Sequence, residues 1–185
     1  MHRNSSQAPS EVFEPRRRCL TYLPAFLVGG LALGLYVSTA PPWLTWAHHG
    51  ADGGDLIAAS WTLGVPHPTG YPTYCLLGRA FALLPLGSVA RRYALFSAAL
   101  AATTAALSQL TIRRLLRAGW PSDSGLEAIL ASSAALALAT SPILWSQAII
   151  AEVYALSAAG AALCLVLALR LVHPARLWLW SALGR

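Results

Sequence analysis

Lysine is absent from this 185-residue chain, methionine occurs once, and charged residues of all kinds make up only 11% of it. An ordinary soluble domain carries about 25% charged residues, so the shortage argues against a surface built for water. Acid is scarcer than base: seven Asp and Glu stand against thirteen basic residues, for a formal charge of +6. The arginines are dispersed between apolar runs instead of gathered into one patch, which excludes a nucleic-acid-binding surface. Of the three cysteines, Cys19, Cys75 and Cys164, none stands in a CxxC or Cys/His spacing suited to zinc, and each is expected to act as a small buried hydrophobe. What is present in quantity is apolar: 56% of the residues are hydrophobic and mean hydropathy is +0.55. That content excludes disorder over most of the length and makes the bilayer the expected solvent.

Uncharged windows near the roughly 20 residues a bilayer crossing needs predict four transmembrane helices: Leu20 to Thr39, Tyr93 to Ile112, Leu126 to Thr140, and Ile149 to Leu169. The first follows a basic tail and has no small-residue cleavage pattern, so it reads as a retained signal anchor. Arginines gather on the cytoplasmic flank of spans. Arg16 to Arg18, Arg113 with Arg114 and Arg117, and Arg170 with Arg176 all fall on one side, which makes the N-terminus cytoplasmic. Arg79, Arg91 and Arg92 lie on the other side and break the rule; they sit at the interface or hold an anionic group. Ser124 three residues before Glu127 has capping-box spacing, and Ser141-Pro142 places a cap before a first-turn proline. From Pro142 a continuous helix to Arg170 would be about 43 Å long.

The fold expected is an all-α membrane protein with about four transmembrane helices and short interfacial helices in the first external loop. Residues 1–18 form a cytoplasmic tail, 19–172 the transmembrane domain with its external loop at 41–92, and 173–185 a cytoplasmic or truncated C-terminal segment. Helices are expected near Asp55 to Leu63 and Tyr71 to Leu84, and Pro66, Pro68 and Pro72 keep the window before Arg79 from being one span.

Chemistry concentrates in that loop. Asp52 and Asp55 flank Gly53-Gly54, and their i, i+3 spacing puts both carboxylates on one helix face; Asp52 as a helix cap is an equal reading. Together they also offer two oxygen ligands for a divalent cation, without a complete ligand set. His67 lies in Pro66-His67-Pro68-Thr69-Gly70-Tyr71-Pro72, whose prolines fix the backbone. Its imidazole is placed to hydrogen-bond a sugar hydroxyl or phosphate, with Tyr71 and Tyr74 supplying ring faces, or it is satisfied by a loop carbonyl. His48 and His49 read as interfacial. Glu152 is the one charge from Ala128 to Leu169; such an acid is a functional candidate or half of a structural ion pair, with Arg79, Arg91 or Arg92 as the expected cation.

Three ordered stretches, Asp52-Gly53-Gly54-Asp55-Leu56-Ile57-Ala58-Ala59, Thr62-Leu63-Gly64-Val65 running into the His67 segment, and Trp145-Ser146-Gln147-Ala148-Ile149-Ile150-Ala151-Glu152-Val153-Tyr154, resemble the amino-terminal region of multi-pass proteins related to protein O-mannosyltransferases, similar to GT-C glycosyltransferases. The resemblance covers about Leu20 to Leu171. It implies a multi-pass enzyme, of the inner or plasma membrane if bacterial, that moves a sugar from a polyprenyl-phosphate donor to an external protein or glycan acceptor. Asp55 would be the base, standing where the family usually has Glu, with Asp52 beside it; His67 and Tyr71 match an HPxGYP segment and Glu152 an AEVY segment as site-lining residues. Arg79, Arg91 and Arg92 would stabilise the departing lipid phosphate. GT-C enzymes have more spans than four, so the chain is expected to be truncated, completed by another membrane chain, or an inactive relative. The alternative from another class is a non-catalytic protein that binds membrane lipid or scaffolds a partner through Ala-rich helices; a transporter with Glu152 as its proton site lacks an inverted repeat.

Overall fold

The computed structural model describes residues 15–119 and 125–171, with side chains from Thr21 onward in the first of these segments. Helices α1 (Pro15–Thr39), α4 (Val89–Gly119) and α7 (Tyr154–Leu171) each contain a stretch long and apolar enough to cross a membrane. Helix α5 (Leu126–Ala139) and the short α6 (Pro142–Ala148) meet at a 63° bend and together make a fourth, broken span or a re-entrant loop. Two further helices, α2 (Gly53–Thr62) and α3 (Pro72–Phe81), lie between α1 and α4, where the sequence predicts short interfacial helices. No strand occurs among the described residues. The structure is therefore the all-helical membrane protein that composition predicts.

Helix α4 is the axis against which α1, α5 and α7 pack. Its buried residues Ala98, Ala101, Ala102 and Ala105 recur at helical spacing and bring neighbouring backbones close, as small residues do where lipid tails remove the hydrophobic drive between helices. They meet Val28, Ala32 and Tyr36 of α1 and Ala135 and Ala139 of α5 in one cluster. Across this seam the Tyr36 hydroxyl donates to the Ala139 carbonyl at 2.7 Å, giving a buried polar group its partner.

A second cluster, Leu56, Tyr74, Ala82, Tyr93, Phe96 and Ala151, fastens α2 and α3 to the beginning of α4. Ser60 is the knot: its hydroxyl donates to the Cys75 carbonyl at 2.7 Å and accepts from the Tyr93 hydroxyl at 2.8 Å. A Cβ at Gly78 would stand 2.8 Å from the Tyr93 ring, so only glycine lets α3 lie this close.

Three expectations change. The helix from Pro142 to Arg170 is not continuous: the backbone leaves helical geometry over residues 149–153, and Glu152 lies in the gap between α6 and α7. Helix α5 opens at Gly125, whose φ of 71° and lack of a side chain preclude a side-chain cap; Ser124 lies outside the described residues, as do 1–14 and 172–185 with Arg176. Ser141, by contrast, accepts from the Leu144 amide as expected. Cys75 is buried but Cys164 is exposed on α7, so the reading of every cysteine as a core residue holds for the first and not for the second.

Candidate functional site

Asp52 and Asp55 frame the beginning of α2, and the chain returns to them through the proline-fixed turn that carries His67. Asp52 occupies the N-cap position yet makes no side-chain capping bond, so its carboxylate is available to the site. Asp55 Oδ2 accepts two hydrogen bonds from a single residue, the His67 backbone N–H at 2.9 Å and its Nδ1 at 2.8 Å. On the other side of the imidazole, Nε2 stands 3.7 Å from Asp52 Oδ2. His67 thus lies between the two acids. The turn that holds it is closed by the Gly70 amide donating to the His67 carbonyl at 2.9 Å, with Gly70 at φ +84°, and Tyr71 meets the imidazole edge-on with centroids 5.5 Å apart.

The electrostatics follow from these contacts. The two His67 donors hold the Asp55 carboxyl below its ordinary range, and the Asp55 hydrogen bond, aided by the charges of Asp52 and Asp55, pushes the His67 imidazole above its own. Both shifts favour a carboxylate facing an imidazolium. Side-chain exposure runs from 35% for His67 to 60% for Asp52, and pairs this open to solvent add little to stability. Their arrangement is better suited to ordering charge at a surface than to holding the fold. Among the described residues no group of three or more His, Cys, Asp and Glu has metal-binding geometry; the two acids converge on the imidazole between them.

Glu152 approaches this group from the α6–α7 gap. It is 4% exposed, and burial pushes its carboxyl above the usual range, opposed by a hydrogen bond from the Val153 backbone and augmented by the charge of Asp52; His67 pulls it back. The Ser97 hydroxyl on α4 donates to the Glu152 carbonyl at 3.5 Å, fixing the gap against the central helix. Beside it the Tyr74 hydroxyl is buried without a hydrogen-bond partner, and burial, with Glu152 contributing, pushes that phenol upward as well.

The arginines stand elsewhere than the acid's expected partners would. Arg91 Nη1 donates to the Ala40 carbonyl at 3.4 Å, and Arg92 donates through Nε to Gly87 and through Nη1 to Ala82, at 3.1 and 3.0 Å. Both tie down ends of backbone segments. Arg79 stacks on Trp61, its guanidinium carbon 4.1 Å from the ring centroid, and leaves Nη1 buried without a hydrogen-bond partner. None of the three pairs with Glu152 among the described residues.

Of the residues singled out from the sequence, the structure brings together Asp52, Asp55, His67, Tyr71 and Glu152 and separates Arg91 and Arg92 from them, a separation that sequence reasoning did not foresee. That reasoning missed the Trp61 platform, for which an aromatic ahead of Arg79 in an otherwise uncharged window was the available signal. It also missed the role of Glu127 at the other end of α4: instead of a capping-box member it is a carboxylate held by Arg117 at 2.8 Å and Arg113 at 3.6 Å.

Residues 52–178 match the family described as the protein O-mannosyl-transferase TMEM260 N-terminal domain, a match that begins at Asp52 and contains every member of the acid–histidine group. The mouse (Mus musculus) protein O-mannosyl-transferase TMEM260 is 37% identical over 122 residues, which is 65% of this chain and 16% of the length of that relative. No solved structure matches the chain significantly.

Proposed function

The chain belongs to the TMEM260 N-terminal domain family of protein O-mannosyl-transferases, and from that premise we propose that it is the amino-terminal part of a membrane glycosyltransferase that moves a sugar from a polyprenyl-phosphate donor to an acceptor hydroxyl at the Asp55 face. The chain spans 16% of the mouse relative, so further helices of a longer protein or partner chain complete the site in this reading. The arginine distribution supports an external position for that face and a cytoplasmic N-terminus in this reading.

The observation that carries the proposal is the double hydrogen bond from His67 to one oxygen of Asp55, at 2.9 and 2.8 Å. It fixes the carboxylate and leaves Oδ1 without a partner among the described residues, ready to accept an acceptor O–H. In the transfer, the acceptor oxygen bonds to the anomeric carbon as the bond from that carbon to the phosphate oxygen breaks; the hydroxyl proton passes to Asp55 and polyprenyl phosphate departs with the electron pair. A carboxylate held below its ordinary range is a weak base, so it takes the proton late, when the new glycosidic bond has made the hydroxyl acidic. His67 between Asp52 and Asp55 keeps both acids from repelling the donor phosphate. Arg79, stacked on Trp61 with a buried donor lacking a partner, is the best placed of the loop arginines to meet that phosphate. Glu152, whose burial disfavours the charged form, lines the sugar side in this reading.

Transfer from a polyprenyl-phosphate sugar in membranes, with any partner chain present, tests the proposal. Asp55→Asn is expected to lower the rate by ~10²–10⁴, the usual contribution of a positioned base, with the protein still folded because the side chain is half exposed. Transfer at the wild-type rate would remove Asp55 from the mechanism and favour a lipid-binding or scaffold role.

A further inference from the structure

At the other end of α4, a cavity of about 240 Å³ is lined by Arg113, Arg114, Arg117 and Arg170 together with Tyr22 and Leu110. Among the described residues one carboxylate pairs with these guanidinium groups, Glu127, which takes Arg113 and Arg117. Arg114 and Arg170 have no acidic partner among the described residues. Two more lining groups, Thr111 Oγ1 and Arg113 Nε, are buried without hydrogen-bond partners. The cavity is thus charged, of one sign, and supplied with donors.

Tyr22 and Leu110 also border a second cavity of about 570 Å³ that follows the α1–α4 seam past Phe26, Gly30, Leu33 and Ala106. Its walls are almost wholly carbon. A Cβ at Gly30 would meet nothing within 4 Å, so the groove is open along that face of α1. From Tyr22 to Leu33 the helix rises about 16 Å, roughly half the hydrocarbon core, which is the depth of one leaflet. A cationic mouth continuous with an apolar groove one leaflet deep has the chemistry of an amphiphile with an anionic head. Arg92 and Arg114 are 22 residues apart on one helix, about 33 Å, so a head group in this mouth is a membrane thickness away from the Asp55 group and cannot be the sugar donor engaged there.

We propose that this end of the bundle binds one anionic phospholipid, its phosphate at Arg114 and Arg170 and an acyl chain in the α1–α4 groove. Basic pockets between helices on the arginine-rich side of a membrane protein are suited to such head groups. The proposal is independent of the sugar-transfer reading.

The test uses the full chain in nanodiscs of phosphatidylcholine with and without phosphatidylglycerol, read by native mass spectrometry for retained lipid and by thermal unfolding. Wild type is expected to retain one phosphatidylglycerol in preference to phosphatidylcholine and to unfold at a higher temperature in its presence. The double variant Arg114→Gln, Arg170→Gln, altering two exposed side chains, should lose that preference by roughly tenfold or more. Gly30→Leu, which fills the groove, should lower retention of phosphatidylglycerol with the arginines intact. Equal retention of the two lipids by wild type, or retention unaffected by the double variant, overturns the proposal. Stabilisation by inorganic phosphate equal to that by phosphatidylglycerol overturns it in favour of a plain anion site.

Discussion

Glu127 and Glu152 are both buried carboxylates of one helical bundle, 5% and 4% exposed, and they are built into it in opposite ways. Glu127 opens α5 and faces Arg117 at 2.8 Å and Arg113 at 3.6 Å. Arg113 in turn donates to the Thr21 carbonyl at 2.6 Å, so this ion pair ties α5, α4 and α1 together. Glu152 has no arginine partner among the described residues, lies where the helix is broken, and interacts with the part-exposed His67 imidazole and the Asp52 carboxylate. Removing one partner from a buried pair leaves an uncompensated charge and destabilises strongly; a buried acid that has no such partner already bears that penalty. The contrast separates an acid that holds the fold from one the fold holds in place.

The contrast can be sharpened at the exposed end first. His67→Ala takes from Asp55 its Nδ1 donor and from Asp52 its facing cation, and is expected to lower transfer by ~10²-fold while circular dichroism stays that of wild type, since the ring is a third exposed. A smaller effect separates the arginines. Arg79→Gln should raise the donor KM by about tenfold, as loss of a charge-assisted phosphate contact does, whereas Arg91→Gln, altering a residue bonded to the Ala40 carbonyl, should leave KM unchanged and lower the thermal midpoint.

The smallest effect is on stability against pH. His67 is raised above its ordinary 6.5, so its contribution is complete below that pH and is lost as pH rises through the folded value; Glu152, raised above 4.5, keeps its proton longer folded than unfolded and also makes stability fall with rising pH. Asp55, lowered below 3.8, contributes above that value and loses its contribution only as pH falls through the folded one. A shallow decline of the thermal midpoint from about pH 6 to about pH 8 is therefore expected, and His67→Ala should flatten it. A midpoint that rises over that interval would contradict the pairing.

Much of this was legible in the sequence because membrane helices announce themselves by length and apolarity. The spans α1 and α4, the small helices α2 and α3, and the cap at Ser141 follow from local composition. Asp55 and His67 were recognisable as chemistry, but their contact is not local: twelve residues separate them, and a turn with Gly70 at positive φ brings the imidazole back. The break at 149–153 was invisible, since Ile149, Ile150, Ala151 and Val153 satisfy a helix pattern as well as any; tertiary contact, with Ser97 bonded to the Glu152 carbonyl, overrides that pattern. Arg91 and Arg92 misled for a related reason. Charge outside the cytoplasmic flank suggested an anionic ligand, whereas backbone carbonyls just after α1 and α3, at Ala40 and Ala82, and in the loop before α4, at Gly87, are the acceptors that hold them.

The most direct test sets Glu152→Gln beside Glu127→Gln and measures, for each, the thermal midpoint and sugar transfer per folded molecule. Glu152→Gln is predicted to keep or raise the midpoint and to lower transfer by roughly tenfold, while Glu127→Gln lowers the midpoint by several degrees and leaves transfer per folded molecule unchanged. If Glu152→Gln instead unfolds the protein and the folded fraction transfers sugar at the wild-type rate, then Glu152 belongs to the fold and the acid group at the helix break is not the functional site.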